Sequence, residues 1–206
     1  MSSVAVLGAG SWGTTFAKVL ADAGCDVTIW ARRSEVAREI HETRRNSGYL
    51  RSINLPANLD ATDSLEKALE GASQVYVAVP SQQLRDTIAI AAPLMEPDCL
   101  VISLMKGVEA LTGLRMSEVL HQAGGIDPAR IAVLSGPNLA LEIAKEQPTA
   151  AVASSLDKQT ASAVASASTN AYFKTFINDD VVGTEFGGVL KNLIAVAVGI
   201  ADGVGY

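Results

Sequence analysis

The chain has 206 residues, of which 49% are hydrophobic and 18% charged, enough apolar mass for a full core and too little charge for a disordered chain. The length suits one large domain, or a domain and part of another. Sixteen Lys and Arg against 22 Asp and Glu give a net charge of −6, which argues against nucleic acid or an anionic membrane as partner and leaves room for a local basic site.

In chain order, the β-branched run over 4–7 predicts a strand, followed by a glycine turn and a helix over about 11–23. A second strand is expected over 26–30, and a helix over about 35–45 with Ser34 as its N-cap. Residues 46–58, with Gly48 and Pro56, read as a loop, and Asp63 as the cap of a short helix over 64–69. The run over 74–79 predicts a strand stopped by Pro80, then a helix over 82–92. Strands over 100–104 and 131–134 flank a helix over 114–122, and a short helix over 139–144 follows. Two more strands, over 150–153 and 172–177, enclose a small-residue helix over about 156–168. The chain closes with a long apolar helix over 183–201.

Strands alternating with helices, and reading as continuous apolar runs, imply parallel strands joined by crossover helices and covered on both faces. The expected fold class is therefore α/β. Cys25 and Cys99 have neither disulfide-framework nor zinc-ribbon spacing and fit a reducing cytosol. His41 and His121 lack a metal-ligand partner motif, so no metal site is expected. No cationic leader precedes the first strand. The longest apolar run, 193–201 with Gly199 counted, falls well short of the roughly 20 residues that span a bilayer. A cytoplasmic location without membrane insertion is the expectation.

Gly8-Ala9-Gly10-Ser11-Trp12-Gly13 is a G-x-G-x-x-G. Chance alone gives about 0.1 such match in a chain of this glycine content, so its place between the first strand and the first helix is what makes it informative. Gly8 permits the tight turn, Gly10 lets backbone approach a pyrophosphate, and Gly13 lets the helix pack on the strand. Phosphates would meet free N–H groups and the positive end of the helix. The rival is a structural glycine turn.

After the second strand, where a NAD site usually carries an acid, stand Ala31-Arg32-Arg33. A guanidinium pairs with a 2′-phosphate that a carboxylate would repel. Six arginines and three glutamates over 32–51 concentrate positive charge there; the rival is a solvated helix face with Glu–Arg pairs such as Glu35–Arg38. Lys106-Gly107 follows a strand, where ligands of open parallel sheets lie, and competes with a solvated loop lysine. Gly136 and Asn138, in Ser135-Gly136-Pro137-Asn138, could hold substrate oxygens or form an ordinary turn with an Asn cap. Lys191 interrupts an apolar helix, with Gly187, Gly188 and Ala195 sharing its face. Small neighbours let a ligand or backbone approach the amine, and a desolvated wall beside a second cation lowers its proton affinity. A snorkelling surface lysine is its rival.

Taken together, these segments, with Tyr49-Leu50, Ala78-Val79-Pro80-Ser81, Leu139-Ala140 and Leu190-Lys191-Asn192-Leu193, resemble the bacterial NAD(P)-dependent glycerol-3-phosphate dehydrogenase family in order along almost the whole chain. The resemblance implies a Rossmann-type, doubly wound, mostly parallel sheet over 1–182. It makes 183–206 the first helix of an all-helical C-terminal substrate domain whose remainder is missing. It implies NAD(P)H-dependent reversible reduction of dihydroxyacetone phosphate to sn-glycerol 3-phosphate, with NADP(H) preferred and NAD(H) as the alternative. Gly8, Gly10, Ser11, Trp12, Gly13, Arg32, Arg33, Tyr49, Lys106 and Ala140 would contact the dinucleotide. Lys106, Gly136, Asn138 and Lys191 would contact substrate, with Lys106 and Lys191 catalytic and Lys191 exchanging the proton. Many members carry Ser or Thr where this chain has Asn138. Members also run on beyond Tyr206 through a helical domain expected to supply an acidic partner and an Arg-Asn pair for the substrate phosphate. The chain therefore reads as truncated, or as an N-terminal fragment. The resemblance also admits a homodimer. Another dehydrogenase of similar build and a non-catalytic dinucleotide-binding module are the alternatives.

Overall fold

A computed structural model describes residues 2–205, with the side chain of Asn192 outside the described set. Eight strands form one sheet: β1 (Ser3–Leu7), β2 (Asp26–Trp30), β3 (Leu59–Thr62), β4 (Gln74–Val77), β5 (Leu100–Ser103), β6 (Ile131–Ser135), β7 (Thr149–Ser155) and β8 (Phe173–Asn178). Their order is β3-β2-β1-β4-β5-β6-β7-β8. The first six run parallel; β7 pairs antiparallel with β6, and β8 runs parallel to β7. The chain thus builds outward from β1 to β3, returns beside β1 at β4, and builds the other way. That reversal is the point where doubly wound sheets open a crevice.

The helices are α1 (Ser11–Asp22), α2 (Ser34–Thr43), α3 (Leu65–Leu69), α4 (Leu84–Ala91), α5 (Met116–Gly124), α6 (Ala140–Ala144), α7 (Lys158–Ser168) and α8 (Val181–Gly203). Side chains alternate across a strand, so β1 sends Val4 and Val6 to one layer and Ala5 and Leu7 to the other. The first layer packs Phe16 and Val19 of α1, Ile40 of α2 and Val164 of α7. Rings of Tyr76 and Phe173 lie 5.3 and 5.7 Å from that of Phe16. The second layer packs Leu69 of α3, Leu84 and Ile88 of α4, and Val119 and Leu120 of α5.

Several boundaries differ from the sequence reading. Leu59–Thr62, to which the sequence reading gives no element, is a strand, drawn into the sheet by pairing with β2. Ser34 is inside α2, whose N-cap is Arg33; Ser64, not Asp63, caps α3 by accepting from the Lys67 N–H at 3.2 Å. A 3-10 turn over Ser81–Gln83 separates Pro80 from α4. Helix α8 is 23 residues long, with a mean hydropathy of 1.5 over its most apolar window, and so is long and apolar enough to cross a bilayer. Counting uninterrupted apolar runs missed this because Glu185 and Lys191 break the runs without breaking the helix.

Candidate functional site

The crevice grows from the first turn. Gly8 has φ +118°, a conformation side chains resist, and a Cβ there would stand 2.7 Å from the Ala78 carbonyl oxygen. A Cβ on Gly13 would lie 1.9 Å from the Gly8 carbonyl oxygen, so helix and turn fit only if both are glycine. Gly10, by contrast, faces open space. It is the N-cap of α1 and offers no capping side chain, so the first N–H groups of the helix are free to receive an anion. From below, the buried amide of Asn46 donates to the Ala9 carbonyl at 3.0 Å and to Thr14 Oγ1 at 2.8 Å, holding the turn.

Around this turn lies a cavity of about 750 Å³. Gly8, Gly10, Ser11, Trp12 and Gly13 line it, with Arg32 and Arg33 beyond the end of β2 and Tyr49, Lys106, Asn138, Ala140 and Lys191 on its other walls. Every residue expected at the dinucleotide is on this surface. Gly136 is not among the lining residues; its carbonyl accepts from Lys106 Nζ at 2.9 Å, so it holds the amine from outside. Gln83 and Thr87, which the sequence did not single out, join the wall near Arg32; Gln83 Oε1 accepts from Arg32 Nη1 at 3.4 Å.

Of the six arginines over 32–51, Arg32 and Arg33 are the ones that line the cavity. Arg44 turns away to the Leu59 carbonyl and Asp60, and Arg45 donates to Asn54 Oδ1 at 3.0 Å. These side chains organise the loop that carries Tyr49. The ion pair near the wall is Arg33–Glu35 at 3.8 Å.

Trp12 Nε1 donates to the Leu104 carbonyl at 3.1 Å, joining the glycine turn to the end of β5 and to Lys106 beyond it. Asn138 Nδ2 donates to the Ala150 carbonyl at 3.4 Å, while its Oδ1 is buried without a partner, a polar atom held ready for a donor. Gly188 of α8 faces β6: a Cβ there would lie 2.6 Å from Ser135 Oγ and 3.4 Å from Lys106 Cγ. Its small size brings α8, and Lys191 with it, against Lys106. Gly187 faces open space, so the close approach depends on one glycine of the pair.

Burial first, and then the neighbouring Lys191 cation, lowers the Lys106 pKa to about 8. The lowering expected from a desolvated wall and a second cation thus falls on Lys106. The crevice thus has an anion-binding turn, two guanidinium groups beyond β2, and two adjacent amines reached from β5 and α8. Along the strand order β2-β1-β4-β5, the two charged ends are three strand spacings apart, about 14 Å. Such a groove fits an elongated ligand with two separate anionic groups and a chemically active end at the lysines.

A family model for the N-terminus of NAD-dependent glycerol-3-phosphate dehydrogenase matches residues 3–161, and one for its C-terminus matches 180–206. The NAD(P)+ glycerol-3-phosphate dehydrogenase of Leifsonia xyli is 65% identical over 98% of this chain and 54% of its own length. That of Corynebacterium glutamicum is 52% identical over 100% of this chain and 62% of its own. The crystal structure of glycerol-3-phosphate dehydrogenase from Coxiella burnetii superposes with a TM-score of 0.89 at 34% identity, covering 98% of this chain and 61% of that one. The chain therefore spans somewhat more than half the length of the relatives it matches.

Proposed function

Because the chain belongs to the NAD-dependent glycerol-3-phosphate dehydrogenase family, we propose that its crevice binds NADP(H), with NAD(H) as the weaker alternative. We further propose that Lys106 and Lys191 serve the reversible reduction of dihydroxyacetone phosphate to sn-glycerol 3-phosphate, a glycerophospholipid precursor. The observation that carries this reading is the meeting of the two amines in the cavity that also holds the glycine turn and the arginine pair.

The residues fit the cofactor. Open space over Gly10 and the uncapped start of α1 suit a pyrophosphate, and the exposed Arg32 and Arg33 suit a 2′-phosphate. Bound NADPH supplies the hydride. In the reduction, Lys106 and Lys191 direct positive charge at the ketone oxygen, which gains negative charge as the bond to carbon forms. Lys191 then passes a proton to that oxygen, and in the reverse direction takes it from the hydroxyl. Asn138 Oδ1, lacking a partner, accepts from a substrate hydroxyl. Gly136 orients Lys106 through its carbonyl rather than touching substrate directly.

Residues 1–182 are assigned to the dinucleotide-binding domain and 183–206 to the start of a helical substrate domain. The separate family matches and the start of α8 at Val181 support that division. Glu185 binds α8 to the start of α5 and Lys191 lines the site, and both support reading the helix as part of a cytoplasmic enzyme without membrane insertion.

Titration of the chain with NADPH, followed by Trp12 emission and by dihydroxyacetone phosphate-dependent loss of NADPH absorbance, tests the proposal. General acid–base assistance contributes about 10²–10⁴-fold, so Lys191→Ala should lose turnover on that scale and retain NADPH affinity. Undiminished turnover in Lys191→Ala would remove the lysine from the chemistry. NADPH binding by the unaltered chain without turnover would leave a dinucleotide-binding module.

A further inference from the structure

Among the described residues of α8, Val181, Glu185 and Gly188 are buried, while Leu190, Leu193 and Ile194 stand exposed. The helix that delivers Lys191 is therefore attached by few side chains, and one of them is a carboxylate. Glu185 is 5% exposed. Its Oε1 accepts from the Ser117 N–H at 2.9 Å; its Oε2 accepts from Ser117 Oγ and from Arg115 Nη1, each at 2.6 Å. The carboxylate sits at the N-terminus of α5, where free N–H groups and the helix dipole favour a negative charge.

Arg115 ends the segment that begins with Lys106. This segment is stiff. Val108 pairs with Arg115, and the Glu109 N–H donates to the Leu114 carbonyl at 2.9 Å. Arg85 holds the Glu109 carboxylate through two hydrogen bonds of 2.8 Å, and with Thr112 lowers its pKa to about 2. One carboxylate on α8 thus grips the far end of the segment that presents Lys106. From Glu185, steps of three residues lead to Gly188 against Lys106 Cγ and on to Lys191, about 9 Å along the axis.

We propose that Glu185 is a positioning residue for the reaction: its carboxylate locks α8 to the Arg115–Ser117 end of the Lys106 segment and so sets the approach of Lys191 to Lys106. The proposal rests on the reading of these two amines as the reacting pair. Glu185 touches neither of them and acts through the placement of the helix.

The test reads the Lys106 amine in the whole chain. Competitive acylation across neutral to alkaline pH, quantified at Lys106 by mass spectrometry, gives its midpoint in the unaltered chain, Glu185→Ala, Glu185→Gln and Lys191→Met. Burial and the Lys191 cation hold that midpoint at about 8. Loss of the lock should raise it toward the ordinary 10.5 in Glu185→Ala, and by less in Glu185→Gln, which keeps an acceptor for the Ser117 N–H. Loss of a purely structural contact would lower stability without moving the midpoint of the folded molecules. An unmoved midpoint in Glu185→Ala, together with a raised one in Lys191→Met, overturns the lock and leaves the paired amines standing. An unmoved midpoint in Lys191→Met, or an ordinary one in the unaltered chain, overturns the pairing itself and the lock with it. If Glu185→Ala does not fold, the glutamine variant decides by the same criterion.

Discussion

Arg32 and Arg33 are neighbours in sequence and on the crevice wall, but each is held by a different weak contact. Arg32 reaches Gln83 at 3.4 Å, and Arg33 reaches Glu35 at 3.8 Å. Both guanidinium groups are exposed, so an arriving phosphate can recruit them at little cost in broken contacts. Hydrogen bonds to charged groups contribute about 1.5–3 kcal/mol each. Replacing both arginines with serine should therefore weaken NADPH binding by more than about tenfold while changing NADH binding much less. Parallel fluorescence titrations with the two nucleotides check this, and equal losses would contradict a 2′-phosphate role. The position of these arginines after a strand was legible in the sequence, since it depends only on local order. Which other arginines would join them was not: Arg44 and Arg45 point into the loop because their acceptors, Leu59, Asp60 and Asn54, fold back beside them. Asn46 was missed for the same reason. Its role lies in contacts with Ala9 and Thr14, more than thirty residues away, and nothing in its own neighbourhood announces them.

Among the elements, those with uninterrupted apolar runs, such as Val4–Leu7 of β1 and Ile131–Leu134 of β6, were legible because both their faces are buried. Strand β3 was not. Its sequence, Leu-Asp-Ala-Thr, is short and half polar, and pairing with β2 makes it a strand. Nor could periodicity show that β7 runs against β6, since the direction of a strand depends on the connection that precedes it. The packing of α8 on β6, where Gly188 meets Ser135 and Lys106, has an energetic consequence. It buries Lys106, whose folded pKa of about 8 lies below its ordinary value of 10.5. The proton is held more weakly in the folded state, so below about 8 the charged amine opposes folding in full. Between about 8 and 10.5 stability should rise with pH as this opposition fades, because the unfolded chain binds more protons there. Lys106→Met, which keeps the alkyl stem, should thus be more stable than the unaltered chain at neutral pH, with the gap closing toward 10.5. Denaturant midpoints across that range measure it; a gap that is constant or widens with pH would contradict the assignment.

At the scale of the whole molecule, the site exists because the sheet reverses its order at β1 and β4. That reversal places the ends of β2 and β5 on either side of the glycine turn, and α8 closes the distal end. Strand order is set by three-dimensional pairing, so the sequence could name the lining residues of the crevice without showing that they share a cavity. A crystal structure of the chain with NADPH bound tests that sharing most directly. The account predicts the pyrophosphate over Gly10 at the start of α1, the 2′-phosphate between Arg32 and Arg33, and the nicotinamide ring beside Lys106 and Lys191. A dinucleotide bound elsewhere, or one lying in the crevice with its nicotinamide turned away from both lysines, would contradict it.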